Sequence, residues 1–112
     1  MGLGDIRGAD CFDILADIME PAMSIASDED AKELFSMNKE RPEGMTAQEY
    51  GIYLMGNTFP KLLRKHKDNF AQIIAATKGT TKAKYLKDLD FATLTGDIMA
   101  LLQDPVFKSF LS

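Results

Sequence analysis

Apolar residues recur at helical spacing through nearly the whole chain, and no stretch alternates with the two-residue period of a strand. From Asp10 to Ala26 the apolar positions are Cys11, Phe12, Ile14, Leu15, Ile18, Met19, Ala22, Met23, Ile25 and Ala26. At about 100° per residue they cover a little over half the helix circumference. Asp10, Asp13, Asp17 and Glu20 fill the remaining stripe. Such a wide apolar arc predicts a central helix buried on more than one side. Pro21, near the polar edge, should kink or split it. Ser27 then reads as an N-cap, with Asp28, Glu29 and Asp30 in the first turn of a short helix carrying Ala31, Leu34 and Phe35.

Residues 38–44 (N-K-E-R-P-E-G) hold Pro, Gly and charges but nothing apolar, so an exposed loop is expected over 38–45. Thr46-Ala47-Gln48-Glu49 is a capping box. One apolar stripe follows, through Ile52, Met55, Phe59, Leu62, Leu63, His66, Phe70, Ile73, Ile74 and Thr77. Gly56, Asn57 and Pro60 predict a break or kink near 56–60. Gly79 closes this helix, and Thr80 to Leu89 makes a short helical turn plus a linker.

Asp90 caps a helix with Phe91, Leu94, Ile98, Leu101 and Leu102 on one stripe. Asp104-Pro105 starts the last helix, with Asp as cap and Pro at the first helical position. Val106, Phe107, Phe110 and Leu111 share a face of it and must dock or stick. The expected fold is all-α: one helical domain over 1–112, a bundle of five to seven helices.

Composition sharpens this picture. The chain has 112 residues, 46% apolar and 27% charged, enough for one domain with a core of its own. One cysteine, Cys11, permits no internal disulfide. No leader is expected, because Met1 to Asp10 lacks a basic start and a long apolar run. No apolar stretch approaches the ~20 residues that span a membrane. The reading is a soluble cytoplasmic protein.

Charge is segregated. Residues 1–60 hold 4 basic and 12 acidic side chains, net −8; residues 61–87 hold 8 and 1, net +7; residues 88–112 hold 1 and 4, net −3. Acidic head and basic middle can attract each other within one fold or between copies; solvated faces and internal complementarity are the ordinary reading, with a partner site as the other. Lys61, Arg64, Lys65 and Lys67 form a candidate basic surface, away from the apolar stripe in the case of the first three. It could meet phosphates. Against this, only Tyr85 lies near the later lysines to stack on a base, and no helix-turn-helix pattern is present.

Catalytic and metal chemistry find little footing. His66 is the only histidine and sits on the apolar stripe, so it reads as a core-edge residue and a histidine-rich zinc site is excluded. A cysteine–histidine nucleophile would need Cys11 and His66 to meet, whereas Cys11 reads as a packed thiol. Asp10, Asp13, Asp17 and Glu20 read as a solvated face rather than a cation site. No phosphate loop is present, and no catalytic residue or cofactor is assigned. Seven methionines, six of them in or beside apolar stretches (Met19, Met23, Met37, Met45, Met55, Met99), suit either core filling or an adaptable binding surface.

The arrangement L-L-R-K-H-K-D-N-F-A-Q-I-I-A-A-T-K-G (62–79), a spacer, then D-L-D-F-A-T-L-T-G-D-I-M-A-L-L-Q-D-P-V-F-K-S-F-L-S resembles the small tail assembly chaperones of long-tailed phages and prophages. The matching residues are Leu101, Leu102, Asp104, Phe107 and Phe110, and the likeness spans about residues 59–112. It implies an all-helical, non-enzymatic adaptor that binds the tape measure protein before tail-tube polymerisation and is then lost. A longer frameshifted form accompanies many such proteins. Candidate partner-binding residues are Leu101, Leu102, Val106, Phe107, Phe110 and Leu111. Other tail proteins and self-association are further partners to consider. The competing reading is a small helical regulatory or nucleic-acid-binding protein that uses the basic segment 61–87.

Overall fold

Helix signals in the sequence translate almost one for one into elements. A computed structural model of the protein describes residues 2–35 and 43–111. Over these it is all-α, without a strand, as the hydrophobic periodicity requires. A 3₁₀ turn, Leu3–Asp5, precedes α1 (Asp10–Ala26) and α2 (Glu29–Phe35). The next helix, α3, runs unbroken over 47–65; it comprises Ala47–Tyr53, a π turn Leu54–Thr58, and Phe59–Lys65. Then come α4 (Lys67–Thr77), α5 (Lys82–Asp88), α6 (Phe91–Gln103) and α7 (Pro105–Leu111). Counting α3 once, the described residues hold seven helices. The loop expected over 38–45 lies outside the described residues up to Arg41 and Pro42; Glu43 and Gly44 form a turn, with Gly44 at φ +84.

The caps explain where helices begin. Thr46 and Glu49 make the reciprocal capping box. Thr81 accepts from the Lys84 amide, Asp90 from Thr93 and Asp104 from Val106. One cap differs from expectation. Ser27 ends α1 rather than starting α2, and Asp28 caps α2 by accepting from the Asp30 amide at 2.8 Å. At the end of α4, the Thr80 amide reaches the Ala75 carbonyl and Gly79 takes φ +69, the left-handed closure glycine permits.

The core is organised by α1 and α4, the most extensively paired helices, with α7 laid across α1, α2 and α6. Ile18, Ala22 and Ile25 meet Phe70, Ile73 and Ile74 in one apolar cluster that also holds Leu62, Leu101, Phe107 and Leu111. Phe59, Phe70 and Phe107 form a chain of rings with centroids 6.3 Å apart at each step.

Several expected positions move, each for a physical reason. Helix α1 passes through Pro21 without a break, and Pro21 is buried rather than set at the polar edge. Gly56, Asn57 and Pro60 do not interrupt α3; the irregularity is a π turn, which inserts one extra residue into the helix. That insertion rotates everything upstream by about one residue, or 100°. Tyr50 and Leu54 therefore face the core, while Ile52 and Met55, expected on the buried stripe, are 66% and 47% exposed. The break falls instead at His66, whose φ −119, ψ 33 separates α3 from α4.

Candidate partner-binding surface

Helix α1 is divided into three sectors rather than two. Ile18, Pro21, Ala22 and Ile25 point into the core. Asp10, Asp13, Asp17 and Glu20 are all exposed along a second sector. Between them lies a third sector, apolar and unburied: Phe12 is 78% exposed, Leu15 47%, Met19 41% and Met23 51%. At about 100° per residue these four fall within one strip of the helix surface. The wide arc in the sequence was expected to mean burial on more than one side. The structure corrects this, because α4 and α7 cover only one side and half of the arc faces solvent. A single exposed Leu or Met is ordinary, whereas three of them in line with Phe12 make a contiguous exposed apolar strip.

The strip continues into a shallow apolar groove of about 200 Å³ where α1 meets the two chain ends. Leu3, Ile6, Ile14, Leu15, Val106 and Phe110 supply its walls. Cys11 stands at the same edge, exposed, its thiol directed at the Ile6 carbonyl at 3.5 Å. The packed thiol expected from the periodicity is thus not observed: Cys11 is exposed at the groove's edge, one turn before the covered part of its helix face. The groove is held in shape by Asp104. One carboxylate oxygen accepts from the Val106 and Phe107 amides at 2.9 and 3.4 Å, and the other accepts from the Leu3 amide at 2.8 Å.

The six partner-binding candidates near the C-terminus therefore divide. Phe107 is completely buried, and Leu101 and Leu111 are buried with it, so these three hold the fold together. Leu102 is half-buried against the core. Val106 is 37% exposed and Phe110 half-buried, and these two line the groove. An α7 that carries Phe107 and Leu111 on one side and Val106 and Phe110 on the next explains the division, since about 60–140° separate those pairs around the helix. On α6, Phe91 is 84% exposed and leaves the buried stripe expected for it. Four of the methionines, Met19, Met23, Met55 and Met99, are 41–51% exposed rather than core filling; Met37 lies outside the described residues.

The basic candidates separate as well. Lys61, Arg64, Lys65 and Lys67 are exposed. Lys65 is nonetheless an internal tie, with its ammonium 2.9 Å from both Asp28 and Asp30. Lys78 is bound to Asp97 at 3.1 Å, and Asp97 also accepts from the Tyr85 hydroxyl at 2.7 Å. Burial and then that hydrogen bond push the Tyr85 phenol well above its ordinary range. Lys67 borders a small apolar cavity of about 170 Å³ with Leu63, Phe70, Leu86, Leu89 and Leu94.

His66 belongs to the same tie as Lys65 and not to a catalytic pair. Its Nε2 donates to Asp28 at 2.9 Å, and its Nδ1 accepts from Asn69 at 2.9 Å. Burial works upward on the Asp28 carboxyl, but the bonds from His66, Lys65 and the Asp30 amide outweigh it and bring its pKa from 3.8 to about 2. This clasp joins the α1–α2 corner to the α3–α4 corner, and sequence spacing held no signal for it. Cys11 and His66 are each engaged elsewhere. Among the described residues no group of three or more His, Cys, Asp or Glu side chains is arranged to hold a metal ion. No helix among them is long and apolar enough to cross a membrane. Comparison with protein-family models, curated proteins and solved structures finds no match for the chain.

Proposed function

We propose that this protein is a non-enzymatic assembly chaperone of a long-tailed phage or prophage, binding the tape measure protein in the host cytoplasm until the tail tube forms around it. The observation that carries the binding part of this reading is the open apolar strip of α1, Phe12, Leu15, Met19 and Met23, continuous with the groove beside Val106 and Phe110. The tail-assembly part comes from the resemblance of residues 59–112. A tape measure protein is long, helical and apolar, and such helices aggregate when exposed. A chaperone for them needs an apolar strip that adapts to many sequences, and methionine supplies flexible, polarisable contact. The acidic sector of α1 keeps the complex soluble.

The nucleic-acid reading is less well supported. Three of the eight basic residues in 61–87, Lys65, Lys78 and Lys82, pair with aspartates of the same chain. The test is co-expression with the tape measure protein encoded in the same tail gene cluster. Soluble tape measure protein should be recovered on the tagged chaperone. Recovery of it soluble and unbound, with or without this chain, would overturn the proposal.

A further inference from the structure

Helices α3 to α6 meet around the apolar cavity of about 170 Å³ that Lys67 borders. Its floor is Phe70, Ala71, Tyr85 and Ile98, all buried. Half-buried leucines make the walls, and Leu86, 44% exposed, stands at the mouth. None of its lining residues belongs to α1 or α7, so the cavity is separate from the apolar strip and its groove. The Tyr85 hydroxyl already donates to Asp97 at 2.7 Å. A buried water wants roughly two to four polar partners, and these walls offer none that is free. The cavity is therefore a dry one, and the side chains facing it lack the dispersion contacts that close packing supplies.

The charge around this cavity has one sign. Lys67 is exposed, and no salt bridge among the described residues engages it. No carboxylate lines the cavity. Most of its wall comes from residues 61–87, whose net charge is +7. The one carboxylate of that segment, Asp68, lies 3.9 Å from Lys82. Lys84 and Lys87, on the helix that carries Leu86, are exposed and also outside every salt bridge of the described residues. We infer that this cavity is a binding site for a small amphiphilic carboxylate, with its hydrocarbon tail between α4 and α6 and its headgroup paired with Lys67 at the mouth. The volume sets the length of the tail. A dry cavity of about 150 Å³ lined by Leu, Ile and Phe accepts benzene, so this one suits a tail of about six carbons. The tail replaces the missing dispersion contacts, which a preformed, poorly hydrated pocket rewards. The flexible Lys67 side chain keeps its ammonium in water while its stem packs on the tail, and the ammonium selects an anion over a neutral molecule of the same length.

The test is titration of the full chain, with labelled methyl groups, by hexanoate and by hexanol under nuclear magnetic resonance. Both should shift the methyls of Leu86, Leu89, Leu94 and Ile98 and leave those of Ile18 and Ile25 in place. Hexanoate should bind about three- to fivefold more tightly at low salt, with the difference narrowing as salt screens the pair. Lys67→Gln, a change on an exposed side chain, should remove that advantage and leave hexanol binding as it was. Ala71→Leu fills the floor and should abolish binding of both. The measurements on the native chain and on Lys67→Gln decide the matter by themselves if Ala71→Leu does not fold. Neither ligand shifting these methyls at millimolar concentration overturns the inference. So does hexanol binding as tightly as hexanoate to the native chain, a hexanoate preference that survives Lys67→Gln, or shifts confined to the groove beside Val106 and Phe110.

Discussion

The Leu3 amide donates to the Asp104 carboxylate at 2.8 Å, joining residues 101 positions apart. The same side chain caps α7 through Val106 and Phe107, so one buried residue fixes both chain ends against α1. Asp104→Ala removes the cap, worth ~0.5–2 kcal/mol, and strands the buried Leu3 amide at ~1–3 kcal/mol. Chemical denaturation should register a loss of about 2–4 kcal/mol. Asp104→Asn should cost less, because its amide oxygen can still accept from Val106. A variant Asp104→Ala as stable as the native chain contradicts this assignment. Gly2→Ala probes the same joint, since an added Cβ would lie 2.6 Å from the Asp104 carboxylate oxygen.

Phe107 and Phe110 should behave as opposites. Phe107 is fully buried against Phe70, and Phe107→Ala should cost ~3–5 kcal/mol. Phe110→Ala should melt closer to the native chain yet weaken partner capture, because its ring lines the groove. Thermal melts and pull-downs on the two single variants decide the matter, and equal destabilisation would remove Phe110 from the binding surface.

Acid should open the clasp at Asp28. Its folded pKa, about 2, lies below the ordinary 3.8. A depressed carboxylate pKa adds stability that is complete above the unfolded value and is lost as pH falls through the folded one. The window is thus roughly pH 4 down to pH 2. The contribution is at most ~2 kcal/mol, and smaller after screening, because Lys65 is half exposed. Urea midpoints measured across that window should fall less steeply in Asp28→Asn than in the native chain. Parallel curves would mean other carboxylates carry the acid sensitivity.

The basic segment should not respond uniformly. Lys61→Gln and Arg64→Gln, both on exposed side chains, should leave stability within ~0.5 kcal/mol. Lys65→Gln should lower the melting temperature measurably, because it releases Asp28 and Asp30 together. If all three single variants melt alike, the clasp contributes nothing.

What the sequence made legible follows from how local each signal is. Caps at Thr46, Asp90 and Asp104 act within three residues, so the chain reads them directly. The helix starting at Pro105 follows from the same local pattern. Which half of α1 is covered depends on where α4 and α7 pack, and a periodicity measures only how wide the apolar arc is. That is why Phe12, Leu15, Met19 and Met23 read as core yet form the open strip. The Asp28–His66 pair, 38 positions apart, leaves no local trace.

The π turn offers the sharpest test of the α3 register. Thr58, Phe59 and Leu62 are buried below it, and Tyr50 and Leu54 above it. In a regular helix Leu54 would sit about 140° from Phe59, and Tyr50 on the opposite side; one extra residue in the turn brings both onto the core face. Deleting one residue inside the turn should convert it to α-helix and leave those side chains where they are. Gly56 is the residue to remove, being exposed with open space around its Cα. Its loss also removes a glycine that costs a helix interior ~1 kcal/mol relative to alanine. The Gly56 deletion should therefore keep the native circular dichroism spectrum and melt at or above the native temperature. Inserting an alanine after Gly56 should do the reverse, turning Tyr50 and Leu54 outward. If the deletion unfolds the chain while the insertion is tolerated, the π turn is not the register device it is taken to be.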